Sequence, residues 1–211
     1  MKVYWHPGLE PDRFLTRLFN AWNHTLKAYE RALGNAGLPY IYGERANVGH
    51  LALAARDIGA FPWIEAPASE GGGNPDLYVE RPGREAYLFE VKWIDPSRTV
   101  NKDPTEVSDL IKVRLSEAKR AARRRSRAEA DIFIGIVFVP LALHEDHVGD
   151  FRPNTWRTLA EKLVKARGGP DFAVVHLYSR EIWSTGQHYC PGVLLLGSYA
   201  RPRSYLEAPA S

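Results

Sequence analysis

Asp76, Glu90 and Lys92 are the residues whose types and spacing can do chemistry. They lie in two short segments of strand character, Asp76-Leu77-Tyr78-Val79-Glu80 and Ala86-Tyr87-Leu88-Phe89-Glu90-Val91-Lys92-Trp93. The turn Arg81-Pro82-Gly83-Arg84 between them predicts a β-hairpin. A turn centred on Gly83 sets Asp76 opposite Glu90. Side chains alternate along a strand, so Glu90 and Lys92 share a face and Val91 points to the other. Asp76 joins that face in this register and leaves it if the pairing slips by one residue. Two directly opposed acids repel and weaken a hairpin. A divalent cation removes that penalty. Mg²⁺, with Mn²⁺ as the expected substitute, binds through one or two carboxylates together with waters and a substrate phosphate. A neighbouring lysine can orient or activate an attacking water and offset charge developing on the phosphate. The set fits metal-assisted hydrolysis of a phosphodiester.

The surrounding pattern supplies elements to position it. Leu15, Leu18, Trp22, Leu26, Tyr29 and Leu33 recur at the helical period over 12–33, and Gly34 and Gly37 end that helix. A second helix is predicted over 44–58, with Val48, Leu51, Ala55 and Ile58 on one stripe before Gly59. Phe61 to Ala66 is a short extended run whose Pro62 suits an edge position. A Gly-rich loop, Gly71-Gly72-Gly73-Asn74, leads into the hairpin. Residues 95–108 read as a loop containing Pro96 and Pro104. Residues 109–130 read as a basic helix with Ile111, Leu115, Ala118 and Ala122 as its buried stripe. Asp131 to Val139 is nearly all apolar, as a central strand covered on both faces should be. A helix over 154–167 and strands at 172–178 and 193–196 follow.

Pro75-Asp76 followed by Glu90-Val91-Lys92 resembles the motif of the PD-(D/E)xK nuclease superfamily. The resemblance implies an α/β fold with a restriction-endonuclease-like core, a mixed central sheet flanked by helices in the order αβββαβ. The predicted elements follow that order over roughly residues 44–139. It implies a Mg²⁺-dependent endonuclease acting on nucleic acid, with DNA the expected substrate, of restriction, defence or repair type. Asp76 and Glu90 would then hold the metal and Lys92 the water. The superfamily often adds an acid from the first core helix, and Glu44 is the best match. Glu65 and Glu30 are its rivals. A non-catalytic nucleic-acid-binding module, or an assembly subunit that retains the fold, is the alternative.

Length and composition suit one domain over 1–211, which the resemblance makes a nuclease domain with a helical extension over about 1–40 and strand and helix additions over about 150–211. The net charge of +3 is unevenly spread, since residues 112–127 hold eight Lys/Arg and one Glu. That stripe suits a polyanion, with Lys119, Arg120, Arg123, Arg124 and Arg127 as candidate phosphate contacts, or equally a solvated helix face. The single cysteine, Cys190, allows no intrachain disulfide, and no apolar run spans a bilayer, so a reducing, cytoplasmic setting without membrane contact is expected. His144-Glu145-Asp146-His147 offers metal-ligand types, but reads as a loop after a strand. His50 reads as a packing residue, and Trp93 as a tryptophan to watch because it follows Lys92. Cutting both strands of a duplex would call for a homodimer. Phe14, Phe19, Trp22 and Val193 to Leu196 offer apolar material for its interface, or alternatively enlarge the core.

Overall fold

The computed structural model describes residues 1–33, 41–65, 74–125, 129–177, 183–184 and 188–200. The chain forms β1 (Lys2–Trp5), α1 (Arg13–Leu33), α2 (Glu44–Asp57), β2 (Phe61–Ile64), β3 (Leu77–Glu80) and β4 (Tyr87–Trp93). α3 (Pro104–Arg124), β5 (Ile132–His144), α4 (Pro153–Lys165), β6 (Phe172–Leu177), β7 (Trp183–Ser184) and β8 (His188–Tyr199) follow. The strands make one mixed sheet in the order β1-β6-β8-β5-β4-β3-β2, with β7 paired to β8. β4 and β5 run parallel and the other pairs antiparallel. Parallel neighbours need a long crossover, and α3 provides it.

Apolar side chains divide between the two faces of this sheet. Leu15, Leu18, Phe19, Trp22 and Leu26 of α1 and Val48 and Leu51 of α2 pack with Tyr87, Phe89 and Val91 of β4 and Ile134, Ile136 and Phe138 of β5. Val107, Ile111 and Leu115 of α3 and Trp156 and Leu159 of α4 pack with Val137, Val139 and Leu141 on the opposite face. β5 is buried on both faces from Ile132 to Ala142, as a central strand with near-continuous apolar sequence should be. β2 lies at the sheet edge and pairs with β3 on one side only, a position where proline is tolerated.

Three expectations change. The basic helix starts at Pro104, not at residue 109, and its last helical residue is Arg124. Asp103 caps it, accepting the Thr105 and Glu106 N–H groups, while Glu106 accepts the Asp103 N–H in return. Pro104 therefore opens the helix, at a position where its missing N–H costs nothing. The N-terminal residues add a strand, β1, at the sheet edge opposite β2. Phe14, Phe19, Trp22 and Val193 to Leu196 are all buried within one chain, because β8 runs between β6 and β5. They form core and cannot serve as an interface between copies.

Close packing of α3 on the sheet depends on Gly135. It is paired across the parallel ladder with Glu90, and a Cβ there would lie 2.5 Å from the Lys119 backbone nitrogen. Any larger residue would push α3 away from β5, beside the strand that carries Glu90.

Candidate active site

β3 pairs with β4 in the register set by the Gly83 turn, Leu77 opposite Phe89 and Val79 opposite Tyr87. Extending the ladder by one residue puts Asp76 opposite Glu90. At this point β3 has just begun, so among the described residues no strand pairs with the far end of β4 on that side. Side chains take over. The Asp76 carboxylate accepts the Val91 N–H at 2.7 Å, and the Lys92 ammonium donates to the Val91 carbonyl at 2.6 Å. The open end of β4 is thus tied off by two residues of the sequence motif, one anionic and one cationic.

Glu44 reaches the same place from the first turn of α2. Its two oxygens lie 3.3 and 3.5 Å from Lys92 Nζ. Gly43 precedes it at φ 108°, a conformation that suits glycine, and provides no side-chain cap. Burial pushes the Glu44 carboxyl above its usual range; Lys92 pulls it down and Asp76 pushes it up again. Of the two rival acids, Glu65 pairs with Arg45 at 3.2 Å and is half exposed. Glu30 stays on α1, outside this cluster.

Glu90 is the most enclosed acid of the group, at 5% exposure. Burial raises its carboxyl first and the charge of Asp76 second, against the opposing pull of Arg125 and Lys92. Arg125 clasps one oxygen: Nε donates to Glu90 Oε1 at 2.6 Å and Nη2 approaches it at 2.5 Å. Nη2 also donates to the Asn74 carbonyl at 2.8 Å.

Arg125 was absent from the residues picked out by sequence, yet its signal was present. Ile111, Leu115, Ala118 and Ala122 recur at steps of three and four, and Arg125 is the next position in that stripe. It ends the apolar face and so must point at the sheet. The cations that were picked out lie elsewhere. Arg120 and Arg124 are exposed, Lys119 is half-buried, and Arg123 donates to the Ala200 carbonyl at 2.7 Å. Arg127 and the glycines at 71–73 lie outside the described residues.

The other candidates resolve as packing. His50 is buried edge-on to Tyr29 at 4.4 Å between ring centroids, and burial lowers it to about 4. His144 closes β5 and contacts Asp146 at 3.2 Å. Cys190 is fully buried in the core, and Trp93 packs partly buried against it.

The donor set suits a hard divalent cation. It is made of carboxylate oxygens, Glu90 is buried while Glu44 and Asp76 are partly exposed, and burial and Asp76 raise both Glu44 and Glu90. Among the described residues no three His, Cys, Asp or Glu side chains form a ready-made cage. Mg²⁺ needs fewer, since one or two carboxylates suffice when waters and a phosphate complete the octahedron. Compared with protein-family models, curated proteins and solved structures, the chain matches none. No helix among the described residues is long and apolar enough to cross a membrane.

Proposed function

We propose that the protein is a Mg²⁺-dependent endonuclease of PD-(D/E)xK type that hydrolyses phosphodiester bonds in nucleic acid, with DNA the favoured substrate. The observation that carries this reading is the meeting of Asp76, Glu90, Lys92 and Glu44 at the open end of β4. The order α2-β2-β3-β4-α3-β5 supports it, being the αβββαβ order of a restriction-endonuclease-like core.

In this mechanism Asp76 and Glu90 would hold the metal ion. Asp76 is steadied by the Val91 N–H, so its carboxylate is oriented before any ligand arrives. When bound, Mg²⁺ supplies Lewis-acid polarisation of the phosphoryl oxygen and makes water more acidic. Lys92 stands on the same strand face as Glu90 and faces the developing charge with its ammonium. Glu44 holds that ammonium in place, 3.3 Å away, and can accept a proton from it.

Incubation with duplex, single-stranded and branched DNA and with RNA, under Mg²⁺, Mn²⁺ and chelator, tests the reading. Cleavage should require a divalent ion. Asp76→Ala, Glu90→Ala and Lys92→Ala should each lower it by about 10²–10³-fold or more, with circular dichroism unchanged. Glu44→Gln should slow it strongly at a stability cost below about 1 kcal/mol, because its ion pair is partly exposed. Full activity in Asp76→Ala or Glu90→Ala sinks the assignment. Nucleic-acid binding without cleavage under every condition would favour a binding or assembly subunit instead.

A further inference from the structure

Arg125 is the C-cap residue just past α3, three residues beyond Ala122 of the sheet-facing stripe, and its guanidinium turns to the site. Two of its nitrogens close on a single oxygen of Glu90, and Nη2 also holds the Asn74 carbonyl. Both partners are nearly enclosed, with 9% and 7% of their side chains exposed. A merely structural arginine would be expected on a carboxylate that has no other electrostatic problem. This one sits on an acid that faces another acid, Asp76.

We infer that Arg125 and a divalent cation are alternative occupants of Glu90 Oε1, so that metal uptake through this oxygen draws the guanidinium off it. The inference rests on the nuclease reading of the site. An oxygen that accepts two charge-assisted hydrogen bonds from one guanidinium has little direction left for a hard cation at its short coordination distance. The two positive charges also repel each other beside Glu90, which is nearly enclosed. Arg125 therefore neutralises the opposed acids until the metal replaces it. Its departure also frees the Asn74 carbonyl, two residues before Asp76. The displaced guanidinium is then a planar, doubly donating cation beside the metal, with the geometry that fits a phosphate. In this scheme Arg125 is a positioning residue that acts through Glu90.

Direct Mn²⁺ binding, followed by electron paramagnetic resonance without nucleic acid, tests the competition. Arg125→Ala should bind Mn²⁺ about tenfold more tightly than the native protein, a typical size for coupled sites. Arg125→Lys should fall between them, since an ammonium cannot clasp the oxygen with two donors. A second readout needs no substitution: the Arg125 Nε–H, slow to exchange while bonded to Glu90, should exchange faster when Mg²⁺ saturates the protein. Unchanged or weaker Mn²⁺ binding in Arg125→Ala overturns the inference. So does an Nε–H whose exchange ignores Mg²⁺, which decides the matter even if the variant fails to fold. Binding that needs Glu90, shown by its loss in Glu90→Gln, but is indifferent to Arg125 removes the competition alone. A protein that takes up no Mn²⁺, or takes it up equally well as Glu90→Gln, removes the nuclease reading with it.

Discussion

Asp12 and Glu90 are both nearly sealed from solvent, at 2% and 5% exposure, yet the protein treats them in opposite ways. Asp12 caps α1. Its Oδ1 accepts the Phe14 and Leu15 N–H groups at 2.8 and 3.0 Å, and its Oδ2 accepts the hydroxyls of Tyr87 and Tyr199 at 3.0 and 3.3 Å. These partners are neutral and belong to α1, β4 and β8, so the acid ties three elements together. Glu90 meets another acid and is balanced by an arginine and a lysine. Neutral donors built into the backbone and core do not exchange with solutes. A cation on a flexible side chain can. Burial alone therefore does not distinguish the two acids; what sets Glu90 apart is a facing like charge offset by cationic side chains.

The sharpest way to break that contrast is to remove each acid and read two quantities. Asp12→Ala loses a helix cap and leaves two buried hydroxyls short of an acceptor, so urea denaturation should show a loss of about 2–4 kcal/mol. Its Mn²⁺ affinity should not move. Glu90→Gln keeps an oxygen acceptor for Arg125 and should lose less stability, while Mn²⁺ binding disappears. Equal effects of the two substitutions on both quantities would erase the distinction between a structural and a functional acid.

How much of this was legible depended on how local the cause was. The hairpin register followed from one turn, Gly83 at φ 66°, and from strand alternation, so the facing of Asp76 and Glu90 could be read directly. The buried stripe of α3 was equally local. Arg125 was missed because the cations were judged as a charge run and not by their phase against that stripe. The start of α3 was missed because Pro104 was read as a breaker, although Asp103 and Glu106 around it form a capping box. The fate of Phe19, Trp22 and Leu195 was not local at all. It depends on β8 inserting between β6 and β5, and the pairing of strands distant in sequence leaves no mark in either segment alone.

Buried histidines extend the comparison to pH. His176 contacts Asn23 at 2.6 Å, and burial lowers it to about 3, aided by the N-terminus and Lys27; burial lowers His50 to about 4. Each stays neutral in the fold but gains a proton in the unfolded chain below the ordinary value of 6.5. The unfolded state then binds more protons, so stability falls as pH drops from 6.5 towards those values, by up to about 1.4 kcal/mol per pH unit for each histidine. Glu90 and Glu44 act with the opposite sign. Their folded carboxyls are raised, so the native state takes protons first and acidification relieves it. Urea midpoints at pH 7 and about 5 should therefore show a net loss on acidification that shrinks in His50→Gln. A midpoint that rises on acidification would mean that the acids of the site outweigh the histidines of the core.

The smallest expected effect separates committed from uncommitted cations. Arg125 is engaged with Glu90 and Arg123 with the Ala200 carbonyl, whereas Arg120 and Arg124 are exposed on the outer side of α3. Phases on the helix explain the difference. Residues 120 and 124 lie opposite the stripe of Ile111, Leu115, Ala118 and Ala122, so their side chains leave the sheet and meet whatever approaches from solvent. Each cation that neutralises a phosphate of a duplex releases about 0.9 of a counterion, and the slope of log affinity against log salt counts them. In an Asp76→Asn background, which blocks cleavage, Arg120→Ala and Arg124→Ala should each flatten that slope by about 0.9. Arg123→Ala should leave it unchanged and instead cost about 1 kcal/mol of stability, because its bond holds the end of β8 to α3. Flattening by Arg123→Ala alone would mean that the Ala200 contact opens on binding and that Arg123 shares the exchangeable character assigned to Arg125.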